Sequence, residues 1–188
     1  MKRRLPREFF ARDAAAVARD LLGRVLCRRL PDRRVLRGRL VEVEAYVGPE
    51  DRASHAWRGR TPRNVAMFEA GGIAYVFRVY GIHFCLNAVT GRQGFPAAVL
   101  LRAAESPIDG VSASGPGRLC RAFSVDASFD GASFVGPDLW LEPGDLAPDR
   151  AVQRTARIGV DYAGAWARRR LRFVVAGSPD ASGPRRLR

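Results

Sequence analysis

The sequence predicts an α+β fold: a single domain with a curled antiparallel β-sheet, a protruding β-hairpin and a few surrounding helices. A chain of 188 residues suits one domain with a proper core. Six apolar runs have the length and composition of strands, and tight turns between three of them imply antiparallel pairing. Two further segments have the period and the end signals of helices.

The first third of the chain predicts one helix and two strands. Asp13 can cap the helix AAAVARDLL, whose apolar side chains share one face, and Gly23 is placed to end it. The strand RVLCRRL follows. After a turn at Pro31-Asp32, the second strand runs through VLRGRLVEVEAY, and we expect a break or a bulge at Gly38.

Three more strands follow an irregular stretch. They are IAYVFRVY, HFCLNAVT and FPAAVLLRAAE, joined at Gly81 and around GRQG. Gly115-Pro116 opens a second helix, because proline suits the first helical position. The last strand is RLRFVVAG. We therefore divide the chain into one domain, residues 1–177, and a disordered basic tail, residues 178–188.

The charge balance favours a polyanionic partner. The chain has 32 Lys and Arg against 19 Asp and Glu, a net charge of +13. Such a field attracts nucleic acid and makes binding fast and salt-dependent. The alternative is a general bias toward arginine, since Lys2 is the only lysine. The lack of other lysines also excludes Schiff-base catalysis by a lysine within the fold.

The sequence offers few metal ligands. Cys27, Cys85 and Cys120 are widely spaced, and His55 and His83 are the only histidines. We expect core cysteines and neither a metal ion nor another cofactor. No apolar run approaches the roughly 20 residues of a membrane helix, and none follows the basic start. We therefore expect no membrane segment, no secretory signal and a cytoplasmic, nucleoid-associated protein.

The strand segment VEVEAY carries the residues of greatest chemical interest. Alternate side chains of a strand share a face, so Glu42, Glu44 and Tyr46 point together, away from the core. A carboxylate beside an aromatic ring can act as a general base on water, beneath a flat substrate. The alternative is a solvated strand face whose glutamates pair with arginines.

Four further residues stand out from their surroundings. His55 lies in an irregular polar loop, where both a functional and a surface role fit. Tyr80 sits at a hairpin tip, either as a packing residue or as a wedge between base pairs. Asn87 interrupts HFCLNAV and is either a structural tie or a reader of a base edge. Arg102, inside VLLRAA, needs an anionic partner.

Six long segments carry a resemblance to one family: RGRLVEVEAYVGPEDRASHA, RTPRNVAMF, YGIHFCLNAV, AVLLRAAE, SGPGRLC and RIGVDYAGAWARRRLRF. They are similar, in the same order, to segments of the alkyladenine (3-methyladenine) DNA glycosylase family, and the chain resembles a bacterial member. The resemblance covers nearly the whole length. It implies a monofunctional base-excision repair enzyme that acts on double-stranded DNA as a monomer, without a cofactor.

The resemblance also implies a reaction. Such an enzyme flips a damaged purine of the 3-methyladenine, 7-methylguanine, hypoxanthine and ethenoadenine class out of the duplex. Water then hydrolyses the N-glycosidic bond and leaves an abasic site, with no AP lyase activity.

The resemblance implies a role for each of the following residues. Glu44 matches the catalytic base that activates the attacking water. Tyr46 and His55 match residues that sandwich the flipped base. Asn87 matches a residue that clashes with the amino group of normal guanine. Tyr80 matches the aromatic that enters the minor groove and fills the gap left by the flipped nucleotide.

Five further positions are predicted to contact the base or the DNA. Phe77 stands where the family often has a third pocket tyrosine, so a stacking surface remains and a hydroxyl is lost. Arg102 matches a contact near the target nucleotide. Ile82 and His83 adjoin the hairpin tip, and a phenol also occurs at position 83. Arg118 stands near a helix start, where a lysine also occurs and a phosphate could bind.

Two competing interpretations belong to other classes. A metal-dependent nuclease could use the carboxylates of Glu42, Glu44, Glu50 and Asp51, although the chain lacks a spaced set of His and Asp ligands. A non-catalytic minor-groove binder could use the arginines and Tyr80 alone, and it would release no base.

Overall fold

The computed structural model describes residues 4–183. Its α-helices are α1 (Arg7–Phe10), α2 (Ala14–Leu21) and α3 (Pro116–Ala122). Its strands are β1 (Val25–Arg29), β2 (Val35–Tyr46), β3 (Ala74–Val79), β4 (His83–Thr90), β5 (Ala97–Ala104), β6 (Leu139–Glu142), β7 (Val152–Thr155) and β8 (Arg172–Val175). Short 3₁₀ segments lie at Val65–Phe68, Ala127–Phe129, Asp149–Ala151 and Asp161–Arg168.

The strand β2 organises the sheet. All pairings between the named strands are antiparallel, in the order β3-β4-β5-β2-β1-β6, and β8 pairs with both β2 and β7. The first half of β2 pairs with β1, whereas its second half lies between β5 and β8. Because β2 changes partners along its length, the sheet curls. The predicted α+β fold with a curled antiparallel sheet in one domain is confirmed.

Two helices cover this sheet and begin where the sequence predicts. The Asp13 carboxylate accepts hydrogen bonds from the main-chain N–H groups of Ala15 and Ala16 at the start of α2. Pro116 occupies the first turn of α3. Helix α2 packs on β2 and β5, and α3 packs on β4 and β5. Their apolar faces, including Leu21 and Leu119, are fully buried in the core.

Gly38 forms neither the expected break nor the expected bulge. It pairs regularly with Leu26 of β1. A Cβ atom at this position would lie 2.1 Å from the main-chain oxygen of Glu105, so a close approach of the chain requires glycine here. The register of β2 shifts instead between Leu40 and Val43, on the side that faces β5. The predicted position was therefore wrong, because a glycine in a strand marks a bulge or a close approach equally well.

Residues 178–183 are packed, which contradicts the prediction of a disordered tail for this stretch. Ala181 is fully buried, and the main-chain N–H of Ser182 donates to Glu42 Oε2 at 2.5 Å. The polar composition of the stretch was misleading, because its polar groups bind buried partners. Residues 184–188, the rest of the predicted tail, lie outside the described residues.

Three short elements escaped the sequence analysis. They are α1, β6 and β7, each of four residues, a length too short to show a helical or strand period. Strand β6 extends the sheet beside β1, and β7 lies outside β8. Among residues 4–183, no helix combines the length and the apolar character needed to cross a membrane.

Candidate active site

A cleft of about 320 Å³ opens beside the second half of β2, between the sheet and the loops that follow β2 and β7. Tyr46, His55, Phe77 and Asn87 line it, and Tyr80 stands at its rim. This volume is at the lower end of the range of small-molecule sites. The structure thus brings together the four residues that the sequence analysis assigned to the base pocket, and it places beside them Tyr80, which was assigned to the minor groove.

Glu44 lies beneath the floor of this cleft, with no exposed surface. Its Oε1 accepts a hydrogen bond from the main-chain N–H of Ile158 at 2.8 Å and lies 3.4 Å from Arg102 Nη1. Its Oε2 accepts from the Tyr46 hydroxyl at 3.1 Å. These three neighbours all line the cleft. Burial raises the pKa of Glu44, and the Arg102 charge limits the rise.

A buried ion pair supports the ring of Tyr46. The guanidinium carbon of Arg157 lies 4.7 Å from the ring centroid, and its two Nη atoms donate to the Asp51 carboxylate at 2.5 and 2.8 Å. Tyr46 lines the cleft, whereas Arg157 and Asp51 are buried away from its lining. The guanidinium therefore covers the rear face of the ring and leaves the other face to the cleft.

The hydroxyl of Tyr46 is a hydrogen-bond donor to Glu44. Burial, followed by the nearby Glu44 charge, raises the pKa of Tyr46 well above its ordinary value. The phenol is therefore protonated at neutral pH, and its hydrogen bond restrains the carboxylate of Glu44 on the same face of β2.

His55 and Phe77 form an aromatic wall. Their ring centroids are 4.4 Å apart, and His55 Nδ1 lies 2.9 Å from the Tyr75 hydroxyl. Asn64 Nδ2 donates to the main-chain oxygen of His55 at 3.0 Å, which fixes the loop that carries the histidine. Desolvation lowers the pKa of His55, so the neutral imidazole is favoured. This wall offers apolar and aromatic surface to a flat ligand.

Asn87 is both a structural tie and part of the cleft. Its side chain is buried, and Nδ2 donates to the main-chain oxygens of Tyr75 at 3.0 Å and Cys85 at 3.4 Å. These two bonds fix the orientation of the amide. The two alternatives from the sequence are thus compatible, since a tied amide can also form a rigid wall.

Two glutamates and two arginines form a buried charge cluster under the cleft. Glu42 Oε1 accepts from Arg102 Nε at 2.8 Å and from Arg172 Nε at 2.7 Å. Burial would raise the pKa of Glu42, but the Arg172 hydrogen bond and both guanidinium charges lower it overall. Glu42 and Glu44 are thus the anionic partners that Arg102 needed. All four side chains are buried, so the alternative of a solvated strand face is wrong.

The hairpin between β3 and β4 presents two large apolar side chains at its tip. Tyr80 is 90% exposed and Ile82 is 69% exposed. The φ angle of Tyr80 is +52°, a strained value for a bulky residue. His83 and Arg118 are exposed as well, but both lie outside the lining of the cleft. His83 packs beside Gly117, at the start of α3.

The carboxylates that a nuclease would need are held by arginines. Glu42 binds two guanidinium groups, and Asp51 binds that of Arg157. Within residues 4–183, no three His, Cys, Asp or Glu side chains are grouped as metal ligands would be. The geometry of these carboxylates gives the nuclease hypothesis no support.

Several contributors to the site were absent from the predictions. Ile158 acts through its main chain, which no side-chain pattern reveals. Arg157 and Tyr162 lie in the segment RIGVDYAGAWARRRLRF, which had been recognised only as a whole. The ring of Tyr162 is 70% exposed yet lines the cleft, and its hydroxyl donates to the main-chain oxygen of Ala53 at 3.2 Å. The available signal in the sequence was Tyr162 itself, an aromatic residue that directly follows the charged Asp161.

The chain is similar to known proteins over most of its length. The family described as Methylpurine-DNA glycosylase (MPG) matches residues 8–179. A protein of Anaeromyxobacter dehalogenans (strain 2CP-1) is 52% identical over 185 residues, which cover 96% of this chain and 86% of that protein. The DNA-3-methyladenine glycosylase of Homo sapiens is 45% identical over 205 residues, covering 95% of this chain and 68% of the human protein.

The match over residues 8–179 identifies this curled-sheet protein as a DNA glycosylase, a class of base-excision repair proteins. The chain belongs to the methylpurine-DNA glycosylase family.

Proposed function

We propose that this protein is a monofunctional glycosylase that removes damaged purines from double-stranded DNA. Its substrates are of the 3-methyladenine, 7-methylguanine, hypoxanthine and ethenoadenine class. The observation that carries the proposal is Glu44, a buried carboxylate with a raised pKa beneath an aromatic cleft. Membership of the family supports it.

Binding begins with the flipping of the nucleotide. The sugar–base bond is inaccessible inside the stack, so the damaged nucleotide swings into the cleft while Tyr80 occupies the gap. A purine methylated at N3 or N7 is cationic, and it is attracted to the electron-rich face that Tyr46 presents. His55 and Phe77 provide the second stacking surface. Neutral lesions such as hypoxanthine rely more on the fit of the cleft.

Hydrolysis is a single displacement with general-base assistance. Glu44 accepts a proton from a water molecule, whose oxygen attacks the anomeric carbon. The C–N bond breaks, and its electron pair leaves with the purine. A cationic purine departs as a neutral base, which makes it the better leaving group. Arg102 and the N–H of Ile158 orient the carboxylate for this step.

The product is an abasic site in an intact strand. Strand cleavage by a lyase route requires an amine that forms a Schiff base with the sugar. No lysine occurs within residues 4–183, and Lys2 lies outside the described residues. We therefore expect borohydride not to trap a covalent protein–DNA adduct, and efficient trapping through a group other than the α-amino group would contradict the monofunctional assignment.

Glu44→Gln tests the central role directly. We expect it to lower single-turnover base release by about 100-fold or more, since general-base catalysis contributes on that order. Lesion binding should persist, because the amide keeps the shape of the side chain. Duplexes with one defined lesion are incubated with the protein, and chromatography measures the free base. Addition of EDTA should leave release by the wild type unchanged.

Glu50→Gln is the matched control. Glu50 is exposed in the loop after β2 and lies outside the cleft lining, so its substitution should leave release unchanged. A Glu44→Gln protein that releases base near the wild-type rate would refute the role of Glu44.

A further inference from the structure

The segment 181–183 closes the charge cluster beneath Glu44. The Ser182 main-chain N–H donates to Glu42 Oε2 at 2.5 Å, and its hydroxyl donates to Glu42 Oε1 at 2.9 Å. Its main-chain oxygen accepts from Arg172 Nη2 at 2.8 Å. One serine therefore engages a buried carboxylate through two donors and a buried guanidinium through an acceptor.

Arg102 connects this serine to Glu44. Its Nε donates to Glu42 Oε1 at 2.8 Å, and its Nη2 lies 3.4 Å from the Ser182 hydroxyl oxygen. Its Nη1 faces Glu44 Oε1 at 3.4 Å. A guanidinium is a rigid planar fork, so contacts at Nε and Nη2 determine where Nη1 points. The position of the cation beside Glu44 thus depends on Glu42 and Ser182.

The segment is anchored from outside the cluster as well. Ala181 is fully buried, and its main-chain oxygen accepts a hydrogen bond from the Ser114 hydroxyl at 3.1 Å. Ser114 in turn bridges to Ala103, the neighbour of Arg102 on β5. The serine that contacts Glu42 is therefore held by packing and by a second serine on the adjacent loop.

We propose that Ser182 is a positioning residue for the reaction: through Glu42 and Arg102 it sets the electrostatic environment of Glu44. The proposal rests on the proposed function, in which Glu44 is the general base. The titratable and charged groups around Glu44 come from four strands: Glu42 and Tyr46 from β2, Cys85 from β4, Arg102 from β5 and Arg172 from β8. Arg102 supplies the cation that contacts Glu44, and Ser182 restrains it.

Ser182→Ala removes one donor to Glu42 and the acceptor that faces Arg102 Nη2. A less restrained Arg102 stabilises the Glu44 carboxylate less, so the pKa of Glu44 rises. The catalytic base must be ionised to accept a proton. In a plot of the single-turnover rate against pH, the decline on the acid side (the acid limb) should therefore move to higher pH by about half a unit or more. The loss of rate should consequently be larger at pH 6 than at pH 8. Ser182→Thr keeps the hydroxyl and should restore the wild-type limb.

Two further variants make the test specific. Ser178→Ala alters the same terminal stretch at a side chain with no described hydrogen bond to Glu42 or Arg102, and it should leave the limb in place. Ser114→Ala releases the segment from its outer anchor, and it should move the limb in the same direction by a smaller amount. Melting curves identify which variants are folded. If Ser182→Ala does not fold, the acid limb of Ser114→Ala is used to test the proposal.

The outcomes separate this proposal from the proposed function. A wild-type protein that releases no base contradicts the proposed function itself. If the wild type releases base but the acid limb stays unchanged in folded Ser182→Ala and Ser114→Ala, the role of Ser182 is overturned. An equal loss of rate at every pH, accompanied by a lower melting temperature, also overturns it, because a purely structural residue would behave in that way.

Discussion

The buried carboxylate of Glu44 lies 3.4 Å from the Arg102 guanidinium and accepts hydrogen bonds from two neutral donors, and its pKa remains above the ordinary value. In the unfolded chain the same group ionises at lower pH. Folding at neutral pH therefore costs free energy at this site, and the cost disappears as pH falls through the folded pKa.

Glu44→Gln should consequently stabilise the protein while it removes activity. Glutamine is neutral at every pH, so the variant lacks the cost of the buried charge. We expect a free energy of unfolding above that of the wild type at pH 8, with the difference narrowing toward pH 4. Urea unfolding over a pH series measures it. A difference that widens in acid would contradict the raised pKa.

Glu42→Gln is the matched comparison for this measurement, two residues earlier on the same face of β2. The pKa of Glu42 is lowered, so its carboxylate stabilises the fold above the pKa of the unfolded chain, and this stabilisation is lost as pH falls through the folded pKa. The variant should therefore be less stable than the wild type at pH 8, by about 3–5 kcal/mol, because it leaves buried guanidinium charge uncompensated.

Asn87 offers a test of how normal purines are avoided. Guanine differs from hypoxanthine by one exocyclic amino group, which a fixed side chain in the cleft can reject by contact. We expect Asn87→Ser to raise guanine release relative to hypoxanthine by roughly ten-fold, equivalent to about 1.4 kcal/mol. Single-turnover release of both bases from matched duplexes measures the ratio.

A melting curve separates the two roles of Asn87. The variant loses the hydrogen bonds to the Tyr75 and Cys85 carbonyls, so a decrease in stability of about 1–3 kcal/mol is expected on that account alone. An unchanged ratio of guanine to hypoxanthine in a folded variant would leave Asn87 as a structural tie.

Side-chain patterns in the sequence singled out several residues of the site, Phe77 followed from the resemblance alone, and neither revealed the groups that hold these side chains in place. Glu44 and Tyr46 share a face by strand alternation, and Asn87 is a polar interruption in an apolar run. In contrast, the Ile158 N–H belongs to the main chain. Ser182 meets Glu42 across 140 positions of the sequence, a contact that no local pattern encodes.

At the scale of elements, local signals predicted most of the sheet. Alternation and glycine turns predicted β3, β4 and β5, and Asp13 predicted the start of α2. The pairing of β8 with the second half of β2 is a long-range contact, and the sequence carried no sign of it. That pairing brings Arg172 opposite Glu44 and thereby completes the charge cluster under the cleft.

The β3–β4 hairpin should act on base flipping rather than on chemistry. Tyr80 is highly exposed and lies in a strained conformation, a combination typical of functional positions. We expect Tyr80→Ser to lower release from paired lesions, because the extruded nucleotide can return to the stack. The loss should be smaller on targets that are already unpaired. An equal loss on both substrates would indicate a folding role for Tyr80.

At the scale of the whole molecule, the arginines behind the net charge of +13 do not contribute equally to the external field. Arg102, Arg157 and Arg172 are buried and paired with carboxylates, so they contribute little to the external field. Other arginines are exposed on the loop with His55, on the hairpin and on α3; they are Arg52, Arg58, Arg60, Arg63, Arg78 and Arg118. Two of them, Arg63 and Arg78, line a groove that shares His55 and Phe77 with the cleft. We expect these exposed arginines, and not the buried ones, to contact the phosphates of bound DNA.

Salt should therefore weaken DNA binding steeply. Each phosphate that an arginine neutralises releases counterions, and about five contacts predict a slope of about −4 to −5 in a plot of log affinity against log salt. Binding of the Glu44→Gln protein to a lesion duplex between about 50 and 200 mM salt measures this slope without turnover. Arg63→Gln and Arg78→Gln should each reduce its magnitude by about one. Arg33→Gln, exposed at the β1–β2 turn toward the other end of the sheet, should leave the slope unchanged. An equal reduction by Arg33→Gln would mean that the DNA responds to the overall charge of the protein and not to Arg63 and Arg78 in particular.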